Sequence, residues 1–219
     1  MMSTIDRSIL QRRLTTARLS SYLTDSGGDV DQALVLYDWN TALSGALHET
    51  LGRFEVVLRN ALDEQLTNLA SRRDWTRPWY RQPGLLDLRG AADVEVARAK
   101  AIDRSPIELH GKVVAELTFG FWRYLLEKRY HTTLWVPALR HAFPNHPRYP
   151  AADFGPDIRK RVQRLHLLRN RVAHHEPIHR RNIARDDAGL SDVVAWICRD
   201  SAEWITNTSR VKEVLGDRP

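Results

Sequence analysis

The chain is poor in cysteine. Its 219 residues hold a single one, Cys198, so no internal disulfide is possible and a reducing compartment, the cytoplasm, is the expected setting. Cys198 reads as a small buried hydrophobe rather than a nucleophile. Long apolar runs are missing too. Hydrophobic residues make up 42% of the sequence, but no stretch approaches the roughly 20 that a spanning helix needs. The first residues are polar and mixed in charge, unlike a signal peptide. No strand-like alternation, repeat or low-complexity segment occurs. No Gly-x-Ser-x-Gly elbow and no P-loop is present; Gly27-Gly28 stands alone. Membrane transport, serine-hydrolase chemistry and nucleotide triphosphate hydrolysis are all disfavoured.

What is present is helical periodicity. After Ser26-Gly27-Gly28, Asp29 can cap a helix, with Gln32 three residues on. Leu43, Leu47, Leu51, Phe54, Leu58, Leu62, Leu66 and Leu69 then follow at spacings of three and four, predicting one helix to about Ala70. An earlier helical region ends near Tyr22-Leu23. Residues 72–88 are irregular, with Arg72, Arg73, Trp75, Arg77, Trp79, Tyr80 and Arg81 around Pro78 and Pro83. That interleaving suits either RNA stacking or a loop pinned by its tryptophans. Further helices are predicted over about 88–102, over 113–125 behind a Ser105-Pro106-Ile107-Glu108 start signal, over 132–142, and over 190–206. Gly120 implies close helix packing, and Phe119, Phe121 and Trp122 read as core. The domain boundaries expected are 1–28 for an N-terminal helical extension, 29–207 for an all-α bundle, and 208–219 for a loose tail.

Another helix begins after Gly155-Pro156. Ile158, Val162, Leu165, Leu168 and Val172 form an apolar stripe. Arg159, Gln163, His166, Asn170 and His174 form a second, wholly polar one. The polar stripe predicts chemistry. Arginine neutralises a phosphate through several donors, histidine moves protons near neutral pH, and asparagine orients without titrating. Arg169, Asn170 and His174 are therefore candidate catalytic residues for RNA cleavage without a metal. Arg169 has an alternative use, an ion pair with an acidic residue of the long helix such as Glu55. His174, His175 and His179 also invite a metal reading, but Pro177 lies between the last two and spoils the helical spacing; no cofactor is expected. The net charge is +6, and the segment Asp157–Arg185 alone carries nine Lys/Arg against two Asp/Glu, so the positive excess coincides with the motif. That favours a nucleic-acid partner over a merely solvated face, with Lys160, Arg161, Arg164 and Arg171 as backbone contacts.

The stretch Leu168-Arg169-Asn170-Arg171-Val172-Ala173-His174-His175-Glu176-Pro177 resembles the Arg-x4-His motif of the HEPN superfamily, and more specifically its abortive-infection (Abi-like) family. Tyr37-Asp38-Trp39-Asn40 through Leu58-Arg59-Asn60 is similar to that family's first long helix, and Leu117–Leu126 to its central one. The likeness spans about residues 16–178. It implies an all-α HEPN-like bundle, a homodimer, and a metal-independent ribonuclease of the phage-defence or toxin kind, with a possible antitoxin or other defence partner. An RNA-binding regulator that does not cut, or a helical interaction module, are the alternatives. Leu-Arg-Asn occurs twice, and Arg59 and Asn60 are read as supporting residues together with His166 and His175. Some HEPN toxins place a tyrosine two residues after the histidine, where an antitoxin attaches a nucleotide. Glu176 stands there in this chain.

Overall fold

The computed structural model describes residues 7–103 and 107–219. The described residues are all-α, with no strand among them. Two short helices come first, α1 (Arg7–Leu14) and α2 (Thr16–Asp25), where the sequence suggested one; Thr15, at φ 67°, breaks them and caps α2. The turn through Gly27 and Gly28, both at positive φ, folds the chain back so that Tyr22 meets Tyr37. Asp29 Oδ1 accepts from the backbone N–H groups of Asp31 and Gln32 and starts α3 (Val30–Arg72), a helix of 43 residues. At 1.5 Å per residue it is about 65 Å long, and it is the spine of the molecule. Its whole predicted leucine stripe is buried.

The irregular segment is a pinned loop. Trp79 and Tyr80 are buried, and Trp79 Nε1 donates to Asp63 Oδ1 at 2.7 Å. Neither of these two rings is free to stack on a base. Asp87 then accepts from Gly90 N–H and starts α4 (Leu88–Asp103). The same carboxylate accepts from Tyr124 and Tyr130 hydroxyls and from Arg129, tying α4 to later elements. The start signal at Ser105-Pro106 lies outside the described residues. Glu108, the last residue of that signal, is held by Arg98 at 2.8 Å.

The segment read as one helix over 113–125 is two, α5 (His110–Glu116) and α6 (Phe119–Leu125). Leu117 is extended, and Thr118 caps α6 by accepting from Phe121 N–H. The break lets Phe119, Phe121 and Trp122 all turn inward, where Trp79 meets the last two. Residues 132–142 likewise divide at Pro137, which donates no hydrogen bond, into a π-helical turn over His131–Trp135 and a 3₁₀ turn over Leu139–Ala142.

The helix that carries the motif is α7 (Gly155–Ala173), and its apolar stripe is buried as expected. A Cβ on Gly155 would lie 2.9 Å from the Trp135 ring, so only glycine permits this start. The predicted final helix is again two, α8 (Ile183–Ile197) and α9 (Arg199–Thr208), separated by Cys198 in an extended conformation. The tail expected to be loose contains α10 (Val211–Gly216). Val211 is fully buried there, and Val214 O accepts from Trp39 Nε1 at 2.7 Å.

Four histidines packed into this bundle set its acid sensitivity. Burial, first among the causes, lowers the pKa of His141, His146, His166 and His179 below the ordinary 6.5. The folded state therefore binds fewer protons than the unfolded chain. Their contribution to stability is full above about pH 6.5 and is lost as pH falls through the lower folded values. His110, raised by its hydrogen bond to Asp63, acts in the opposite sense, but it is one group against four. The urea midpoint is expected to fall between pH 7.5 and pH 5; a midpoint that holds or rises would contradict this assignment.

Candidate nucleic-acid site

Helices α3 and α7 run antiparallel. Asn40 Oδ1 accepts from Ile178 N–H at 2.8 Å, just past the end of α7, while Glu55 meets Arg169 further back along it. Arg59, one turn beyond Glu55 on the same face of α3, is thus carried toward His166. On the other side of this stripe lies α6. A Cβ on Gly120 would sit 3.4 Å from His166 Nε2, and the Phe119 ring meets His166 edge-on at 5.3 Å. Both are ordinary contact distances, so the packing here does not itself require glycine. His166, Arg169 and Asn170 are half-buried in a seam between α3, α6 and α7.

Within the seam Asn170 Nδ2 lies 3.5 Å from His166 Nε2. Burial and the nearby positive charges of Arg123 and Arg169 hold the His166 pKa down, so a neutral ring faces Asn170. Arg169 Nε is 3.6 Å from Glu55 Oε2, beyond hydrogen-bond length, so the ion pair considered for Arg169 exists only as a loose contact. Arg123 was not singled out by the sequence. Its side chain is 15% exposed, it donates to Glu127 at 2.5 Å, and its Nε is buried without a partner. Arg59 donates weakly to exposed Asn60 at 3.4 Å.

The end of α7 differs from expectation. His174, counted in the helical stripe, is the C-cap, and the helix stops at Ala173, ahead of Pro177. Glu176 N–H donates to Arg171 O and His175 N–H to Val172 O, a Schellman closure with His175 in the left-handed region at φ 56°. His175 is therefore in a turn and not on the helix face. His174 is exposed at the open end of the seam. His179 does not join the other two. It is buried, stacked on Tyr22 at 4.4 Å, with Nε2 3.0 Å from Asp25 Oδ2 but off the line of a hydrogen bond. Among the described residues no three His, Cys, Asp or Glu side chains are grouped to hold a metal.

The basic segment is less available than its composition suggested. Arg161 is engaged by Asp157 and Asp192 and lies over Trp196, Arg164 and Arg181 both grip the fully buried carboxylate of Asp186, and Arg180 pairs with Asp25. Arg171 reaches Glu176 at 3.6 Å. Of the four residues expected to contact RNA, only Lys160 has no ion pair among the described residues; Arg159 and Arg185 share that condition. Arg164 has a structural duty. Arg164→Ala is expected to cost about 1–3 kcal/mol, because it strips one of two partners from a buried carboxylate. The check is chemical denaturation of the variant beside Lys160→Ala, which should be near neutral; equal stabilities would contradict the Asp186 account.

No protein-family model, curated protein or solved structure matches this chain.

Proposed function

We propose that the chain is a HEPN-like, metal-independent endoribonuclease of the phage-defence kind, acting on RNA through the 2′-OH. The observation that carries this reading is the convergence in one seam of Arg169, Asn170 and neutral His166 with Arg123, whose buried Nε lacks a partner. An anion entering the seam meets Arg123 and Arg169, of which Arg169 is held only loosely by Glu55. A phosphodiester has the required charge and the required number of acceptor oxygens.

In this mechanism a base takes the 2′-OH proton, the 2′-oxygen attacks phosphorus, and an acid protonates the departing 5′-oxygen. A 2′,3′-cyclic phosphate and a 5′-OH result. Arg169 stabilises charge gathering on the phosphoryl oxygens. His174 carries a proton. Asn170, held by His166, presents its remaining groups to the phosphate; His166 is a positioning residue. His166 and His174 are eight residues apart, about 12 Å along the axis, too far to flank one phosphorus atom together. A second chain therefore supplies the second histidine, and the reading requires a homodimer.

The loose Arg169–Glu55 contact favours one competitor, an RNA-binding or interaction protein in which Arg169 only braces α7 against α3. Incubating the protein with end-labelled RNA in chelator separates the two: cyclic-phosphate products support the ribonuclease, whereas tight binding without products supports the competitor.

A further inference from the structure

At the first turn of α7 the surface opens into a groove of about 670 Å³. That is the size range of small-molecule sites and far more than a bare phosphate fills. Part of its lining is apolar, made by exposed Pro156 with the small exposed edges of Leu126 and Trp135, and Thr132 lies on its rim. Its charge is one-sided in effect. Both acidic lining residues are already engaged, Glu127 by Arg123 and Asp153 by Arg148. The lining cations Lys128 and Arg159 have no ion pair among the described residues. The groove and the seam are linked through shared residues and a shared helix. Glu127 lines the one and holds Arg123 in the other, and Arg159 begins the polar stripe that passes through Gln163 to His166 and Asn170. From Arg159 to Arg169 is about 15 Å along the axis, a distance that a short stretch of single strand covers.

We propose that this groove is a nucleotide subsite: the base rests against Pro156 and the exposed edges of Leu126 and Trp135, and Lys128 and Arg159 bind the phosphate. A nucleotide fits better than a simple anion because the lining combines apolar surface with two cations that have no ion pair among the described residues, the two faces of one nucleotide. Its role as the seat of an RNA nucleotide a few positions from the cut rests on the ribonuclease reading; the binding of a nucleotide does not.

The test uses the full chain and the four ribonucleoside 5′-monophosphates, titrated calorimetrically, with inorganic phosphate as competitor. At least one monophosphate is expected to bind. Lys128→Ala with Arg159→Ala should weaken it tenfold or more, Thr132→Trp should weaken it by filling the groove, and inorganic phosphate should displace it poorly. Absence of binding by all four, or displacement by inorganic phosphate at equal concentration, overturns the subsite. A protein that binds nucleotide here but cuts no RNA keeps the subsite and loses the ribonuclease reading. One that cuts RNA while binding no monophosphate does the reverse.

Discussion

Replacing His174 by alanine is expected to reduce RNA cleavage by about 10²–10⁴-fold, the usual worth of a positioned proton carrier, while leaving the unfolding transition where it was. The imidazole is exposed at the C-cap of α7, and its ring makes no contact that the fold depends on. His175→Ala should cost far less activity, because the left-handed turn at φ 56° carries that side chain off the face shared by Arg169 and Asn170. Cleavage rates and denaturation curves for both variants decide the matter. A reversed ranking would move the proton carrier to His175. An unfolded His174→Ala protein would give His174 a structural role instead.

The second large effect concerns assembly. A cleavage that needs both acid and base, in a chain whose two seam histidines stand about 12 Å apart, calls for a two-fold axis near the motif. Leu167, 52% exposed beside the polar stripe, and Val56, 42% exposed next to Glu55, are the apolar residues placed to make that contact. Wild-type and His174→Ala chains, mixed in equal amounts and exchanged, should retain roughly a quarter of the activity of the same amount of wild type, since only about a quarter of the dimers keep both histidines, whereas independent sites would retain about half. Leu167→Glu should yield an inactive monomer. Light scattering and cleavage assays read both results. A monomer of Leu167→Glu that retained full activity would rule out the shared site.

The parts of this fold legible in the sequence are those governed by long, regular periodicity. The leucine stripe of α3 and its Asp29 cap, and the apolar stripe of α7, follow from residue spacing alone. The breaks at Thr118 and Cys198 do not. Neither has an adjacent proline or glycine that forces it; Thr118 caps α6, and Cys198 is extended between α8 and α9. The candidate site was legible in part. Arg169, Asn170 and His166 share a face by spacing, but Arg123 joins them only through the packing of α6 on α7, which no local pattern encodes. The charge of the segment 157–185 misled for a similar reason. Asp25, Glu55, Asp186 and Asp192, which engage its arginines, all lie outside that window.

The central claim is cleavage of RNA by the chain's own side chains. The most direct test is incubation of the purified protein with labelled single-stranded RNA in excess chelator, with the product ends identified. The account predicts cleavage that is insensitive to chelator, leaves a 2′,3′-cyclic phosphate or its opened form, and is absent from His174→Ala. Products with a 3′-OH, or activity that vanishes with chelator and returns with magnesium, would contradict it.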